Sequence, residues 1–154
     1  MRILDFLRRD AIIASLGATT KEQVLIELVE PVAEANKHLN KAGLIKTLLE
    51  REDLGSTGIG GGVAIPHGKL EGLGHLTASF GRSAAGVEFN SMDHKPAHLF
   101  FLLIAPKNSA SDHLKALARI SRLFKDPLLK NSLLRAETSD EIFRLLEDWD
   151  LRLP

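Results

Sequence analysis

The sequence contains no cysteine, and its 154 residues carry no net charge, with 20 Lys plus Arg against 20 Asp plus Glu. The first absence removes any disulfide framework, any thiolate nucleophile and any cysteine-ligated zinc or iron–sulfur site, which fits a cytoplasmic protein. The second speaks against holding nucleic acid by counterion release and against adsorption to an anionic membrane, since both draw on a basic excess. No apolar run approaches the roughly 18 residues of a membrane span. The first ten residues mix Ile3, Leu4, Phe6 and Leu7 with Asp5, Arg8 and Arg9, so they lack the unbroken apolar stretch of a signal peptide. Repeats, linkers and low-complexity tracts are missing as well. What is present, 44% apolar and 26% charged residues, is the composition of a globular chain whose length suits one domain over residues 1–154.

Periodicity divides this chain into strands and helices. Ala11 to Leu16, with Ile12 and Ile13 and a stop at Gly17, reads as a strand. Thr20 with Gln23 makes a capping box, and Val24, Leu25, Leu28, Val29 and Val32 follow at helical spacing. Asn40 is a candidate cap for a second helix carrying Leu44, Ile45, Leu48 and Leu49 and reaching about Leu54. Leu76 to Phe80 alternates as a half-buried strand would, whereas Leu99 to Ile104 is apolar throughout and reads as a strand buried on both faces. The last third is helical. Leu114, Leu117, Ala118 and Phe124 make one stripe, extended by Ile120 and Leu123 and broken at Asp126-Pro127. A short helix over Leu128 to Arg135 follows. Thr138 with Glu141 is another capping box, ahead of Ile142, Leu145, Leu146 and a core-packing Trp149. Strand, two helices, several strands and further helices imply an α/β fold, a mixed β-sheet flanked by helices on both faces.

Between these elements, Gly55 to Gly62 holds five glycines in eight residues and must be a loop with special backbone demands. Val63, Ala64 and Ile65 then extend, because Pro66 disfavours helical dihedrals in the residue before it. The glycines do not form a nucleotide site. A P-loop ending at Gly68-Lys69 fails because Leu70 follows and Val63 stands where the first glycine belongs. A dinucleotide fingerprint started at Gly58 or Gly60 meets Val63 or Ile65 in place of its last glycine. No Gly-x-Ser-x-Gly elbow is present to support a serine hydrolase.

His67 is the residue in this stretch that carries chemistry. It ends a brief strand, with Pro66 before it, the uncrowded Gly68 after it and a hydroxyl-bearing loop behind it. A neutral imidazole is a nucleophile near pH 7 without a general base, although an arbitrary Pro-His-Gly is more often a surface turn. The run from Arg51 through Gly-Ser-Thr-Gly-Ile-Gly-Gly-Gly-Val-Ala-Ile-Pro-His to Leu70 resembles the phosphorylation-site segment of the enzyme IIA proteins of the phosphoenolpyruvate-dependent phosphotransferase system, fructose/mannitol type. Within that family it is most similar to the nitrogen-regulatory branch. The likeness continues through the apolar strand before Ala105-Pro106 and through His113-Leu114.

The resemblance implies the three-layer fold of that family and a phosphocarrier without cofactor or metal. In it, His67 takes a phosphoryl group on Nε2 from a histidine of an HPr-like donor. His113 matches the second family histidine, placed to assist the phosphoryl group or orient the ring, and Arg51 matches the site arginine, whose planar fork suits phosphate oxygens. Ser56, Thr57 and Gly68 are candidate supports of the phosphate loop, with turn stabilisation an equal role for the two hydroxyls. Gly58, Gly60 and Gly62 are read as permitting loop dihedrals, and Gly61 stands where this branch is expected to carry a larger residue. Implied partners are regulatory targets such as a potassium-transport protein or a sensor kinase. The alternatives are a sugar-transport IIA component that passes phosphate to a IIB protein, and an unphosphorylated interaction module. His94 and His98, four apart across Pro96, are read as structural, His75 as a turn residue, and His38 as the polar end of the first helix.

Overall fold

The computed structural model describes residues 1–153. After a 3₁₀ turn at Ile3–Asp5, the chain runs through β1 (Leu7–Ile13), α1 (Lys21–Ala35), α2 (Lys41–Asp53), β2 (Gly58–Gly60), β3 (Val63–Ala64), β4 (His67–Leu70), β5 (Thr77–Val87) and β6 (Ala97–Pro106). It ends in α3 (Ala110–Phe124), α4 (Pro127–Arg135) and α5 (Ser139–Arg152). The strands form a mixed sheet in the order β1-β5-β6-β3-β2, with β4 also paired to β6. β1 lies parallel to β5, and β3 and β4 lie parallel to β6, while the β5–β6 and β2–β3 pairs are antiparallel. Helices cover both faces. α1 and α2 close one core over Val24, Leu28, Leu44, Leu48, Phe100 and Leu102, and α3 to α5 close the other over Phe101, Leu103, Ile120, Leu146 and Trp149.

The caps anticipated from sequence are in place. The side chains of Thr20, Asn40 and Thr138 accept from the backbone N–H of Gln23, Gly43 and Glu141, and Asp126 accepts from Leu128 and Leu129 ahead of Pro127. In both capping boxes the N3 side chain reaches one residue further back than the usual geometry. Gln23 accepts from Thr19 N at 3.1 Å, and Glu141 from Glu137 N at 3.0 Å.

Four expectations need correction. The first strand starts at Leu7 and ends at Ile13, because its charged stretch stands at a sheet edge: Leu7 opposes Ala78 but Ile12 opposes Phe80, so Arg8, Arg9 and Asp10 bulge outward. Leu16 lies outside it and packs on Gly81, where an added Cβ would come within 2.9 Å of the leucine. β5 runs to Val87 and is buried from Thr77 to Ser83, not half-buried, since helices lie on both sides. Its Ser79 Oγ donates to Leu28 O, and its Arg82 donates to the carbonyls of Ala14, Leu133 and Ala136, which satisfies the polar groups that a hydropathy pattern reads as exposed.

In α3 the buried stripe is His113, Ala116, Ile120, Leu123 and Phe124, together with Arg119. Leu114 is 69% exposed, and Ala118 also faces solvent. Polar side chains occupy inward positions there because each has work on that face. Finally, His67 opens β4 instead of ending a strand, and β4 lies alongside β6 with His67 opposite Leu103. Gly68 and Lys69 are poor strand formers, so this strand exists through its pairing and not through propensity.

Candidate functional site

β6 is the ruler on which the site is laid out. β3 pairs with its first half, Val63 opposite Leu99, and β4 with its second, so Pro66 and Ile65 sit at the step between two short parallel strands. At that step Leu103 N donates to Pro66 O at 3.0 Å, and Ile65 N donates to Thr57 O at 3.0 Å. The Ile65 carbonyl is then turned toward the imidazole of His67, whose Nδ1 lies 2.8 Å away. A carbonyl oxygen can only accept, so Nδ1 carries the proton. When the ring is neutral, its lone pair is therefore on Nε2, and His67 remains half-buried and reachable.

His113 faces it from the first turn of α3. The two rings meet edge to face, 5.7 Å between centroids and 70° between planes. His113 is 7% exposed, and its Nε2 is buried without a hydrogen-bond partner among the described residues. Burial holds its pKa below the ordinary histidine value, and the neighbouring His67 ring and Lys69 push in the same direction. It is accordingly a neutral ring with an unanswered nitrogen next to the nucleophilic candidate, in a place where leaving such an atom unpaired costs free energy.

The other candidates are placed less directly. Arg51 is in the last turn of α2, and its guanidinium donates to Gly55 O at 2.8 Å. No hydrogen bond or ring contact joins it to either histidine among the described residues. Ser56 Oγ donates to Phe89 O at 2.5 Å and accepts from Gly58 N at 3.0 Å, and Thr57 Oγ1 donates to the Glu52 carboxylate. Both hydroxyl protons are thus already donated, and neither is offered to a ligand in this arrangement. Gly68 faces α2, and an added Cβ would meet Leu48 and Thr47 at the ordinary distances of 3.5 and 3.6 Å.

The glycine run serves two ends. Its first part, through Thr57 O, supports Ile65 beside His67. Its second part turns away, because β2 runs antiparallel to β3 toward the start of β6. Gly60, Gly61 and Gly62 have φ of 90°, 66° and 79°, which few other residues adopt, and they form the tight hairpin tip, where Asp93 accepts from Gly61 N at 3.0 Å. At Gly61 a side chain would begin 2.9 Å from Lys130 Nζ. Sequence reading missed Glu52, which is buried and ion-paired to Lys21 at 2.7 Å. Within Arg51-Glu52-Asp53 nothing but the inward side of the helix separates it from its solvated neighbours.

His38 lies in the turn after α1, His75 in the bend before β5, and His94 in a turn at φ 61°; the Nδ1 of His98 meets Ser83 O at 2.9 Å.

Residues 5–149 match the family described as "Phosphoenolpyruvate-dependent sugar phosphotransferase system, EIIA 2". The chain belongs to this family. Among similar IIA proteins, a "Nitrogen regulatory protein" of Bradyrhizobium diazoefficiens is 41% identical over 146 residues, 95% of each chain. The "PTS system fructose-specific EIIABC component" of Bacillus subtilis is 35% identical over 97% of this chain but only 24% of its own length. The crystal structure of the nitrogen regulatory protein IIA-Ntr from Neisseria meningitidis superimposes with a TM-score of 0.86 at 32% identity, covering 94% of this chain and 98% of that one. The protein is thus a type-2 IIA phosphocarrier component with the mixed α/β fold of its relatives, and it resembles the nitrogen-regulatory branch. Among its described residues, no helix is long and apolar enough to cross a membrane.

Proposed function

We propose that His67 is the phosphoryl acceptor and that this IIA protein acts by switching between phosphorylated and unphosphorylated forms that bind partners differently. The observation that carries the first half is the Nδ1 contact with Ile65 O, because it leaves Nε2 as the nucleophilic nitrogen. In the transfer, the Nε2 lone pair forms a new P–N bond while the P–N bond of a phosphohistidine on an HPr-like donor breaks, its electron pair staying on the donor ring. The positive charge developing on the His67 ring is met by the Ile65 carbonyl. The phosphoryl oxygens are met by the unpartnered His113 nitrogen and by the fork of Arg51, a division of labour suited to a reaction that needs mainly positioning and charge stabilisation.

The regulatory half rests on the similarity to nitrogen regulatory proteins and on the character of the surface. Leu54, Ile59 and Met92, around the glycine-rich loop, and Leu114, next to His113, all expose apolar side chains. Phosphorylation adds on the order of two negative charges. A partner that packs on such a surface over neutral His67 must then desolvate that charge or lose contact, so the unphosphorylated form is the tighter binder. Potassium-transport proteins or sensor kinases are candidate targets from the nitrogen-branch resemblance. A second reading, phosphate transfer onward to a IIB protein, is favoured by the 35% identity to the fructose-specific component.

The test is to capture partners with wild type, with His67→Ala and with enzymatically phosphorylated protein. Partners retained by the first two and released by the third are the expected result. Identical partner sets and affinities in all three forms would remove the regulatory reading and leave the transport one.

A further inference from the structure

We propose that Glu52 is a positioning residue for His67, selecting the ring tautomer that leaves Nε2 free; this rests on the reading of His67 as the phosphoryl acceptor. A neutral histidine in water holds its proton mainly on Nε2, the opposite of what attack through Nε2 requires. The protein has to impose the other tautomer, and here it does so through one backbone carbonyl, that of Ile65. Ile65 lies between β3 and β4, outside both, so the direction of its carbonyl is not set by a sheet ladder of its own.

What sets it can be followed outward. Ile65 N donates to Thr57 O at 3.0 Å. Thr57 is gripped from the other side by Glu52: Oε1 accepts from Thr57 N at 3.1 Å, and Oε2 accepts from Thr57 Oγ1. Glu52 is in turn fixed by Lys21 Nζ, 2.7 Å from Oε1, and that lysine also donates to Phe89 O at 3.3 Å. The Glu52 side chain is 3% exposed. A carboxylate is the one side chain that accepts on both of its oxygens, and here each oxygen receives from the same residue while the lysine balances the charge. A glutamine keeps the bond from Thr57 N only by turning its NH₂ toward Thr57 Oγ1, which must then accept where it donated, and it removes the charge that Lys21 balances. The inward Glu52 is also adjacent to Arg51, whose guanidinium holds Gly55 O, so a single turn of α2 fixes the loop from inside and offers a cation outside.

The experiment reads the tautomer directly. Ring ¹⁵N shifts of His67 are measured in unphosphorylated wild type and in Glu52→Gln, Thr57→Val and Thr57→Ser, at a pH where the ring is neutral. Phosphoryl uptake from an HPr-like donor is timed in wild type and Glu52→Gln, and folding is checked by circular dichroism. Wild type is expected to hold the Nδ1–H tautomer, Glu52→Gln and Thr57→Val to shift toward Nε2–H, and Thr57→Ser, which keeps both donors, to hold the wild-type tautomer. Uptake in Glu52→Gln falls tenfold or more. If Glu52→Gln does not fold, Thr57→Val, which keeps the buried shape, decides the matter by its tautomer. Folded variants with the wild-type tautomer overturn the proposal, whether or not uptake slows. Because the tautomer is read without a phosphoryl donor, a failure of His67 as acceptor shows separately, as phosphate retained in His67→Ala.

Discussion

Replacing His113 with alanine is expected to slow phosphoryl uptake by roughly 10²- to 10³-fold, the usual loss when one preorganised donor to a developing oxyanion is removed, about 2.7–4 kcal/mol. The stability of the chain should change little by comparison, because the nitrogen removed has no hydrogen-bond partner to abandon. Since burial, with Lys69 close by, holds the His113 pKa below the ordinary histidine value, the ring contributes a directed N–H and not a full charge. His113→Gln, which retains an N–H donor, should recover part of the rate. Arg51→Ala is expected to slow uptake to a similar degree. Its guanidinium loses one exposed bond to Gly55 O, and the Glu52 side of the loop is untouched. Single-turnover transfer from a phosphorylated donor checks both, and wild-type rates in both variants would mean that neither residue meets the phosphoryl group.

The largest effect on stability is expected far from this site, at Asp150. Its carboxylate accepts from Ile3 N and Leu4 N, each at 2.9 Å, and from Arg119 at 3.1 Å, and the residue is 2% exposed. It thereby caps the N-terminal 3₁₀ turn and neutralises a guanidinium that also stacks 4.5 Å over the fully buried Trp149. Asp150→Ala takes the carboxylate from a buried guanidinium, which keeps its bonds to the Asp150 and Leu153 carbonyls, and takes the acceptor from two backbone donors, a change of about 3–5 kcal/mol. For a chain of this size that corresponds to a fall in Tm of roughly 6–20 °C. Urea melts at constant slope are the appropriate check, and a loss below about 1 kcal/mol would show that water replaces the carboxylate.

Asp150 also shows where sequence reading stops. The helix starts at Thr20, Asn40, Asp126-Pro127 and Thr138 were legible because a cap is decided within four residues. Ile142, Leu146 and Trp149 were legible as a buried stripe for the same local reason. Asp150 and Arg119 are not, since each is an ordinary helix charge until a partner 31 residues distant makes it a buried one. The misphased stripe of α3 has this origin: Arg119 and His113 hold inward positions that hydrophobicity assigns to Leu114 and Ala118. β4 was hidden by Gly68 and Lys69, whose strand state comes from β6, and the first strand was displaced by charges that an edge bulge tolerates.

The candidate site divides along the same line. His67, Arg51 and His113 stood out through resemblance, a record of residues that recur in a family. The meeting of two imidazoles 46 positions apart, the Ile65 carbonyl on Nδ1 and the Glu52 grip on Thr57 are products of the fold. The glycine run was recognisable as a loop, but not as one that leaves His67 halfway along to build a hairpin at the other end of β6.

The central claim is that a phosphoryl group rests on Nε2 of His67. Wild type and His67→Ala are incubated with phosphoenolpyruvate, the general phosphoryl donor and an HPr-like protein, then examined by intact mass and by ring ¹⁵N and ³¹P spectra. Wild type should gain a single acid-labile, alkali-stable phosphoryl group that perturbs Nε2, and His67→Ala should gain none. Acid-labile, alkali-stable phosphate retained by His67→Ala, or found on Nδ1 in wild type, would contradict the account.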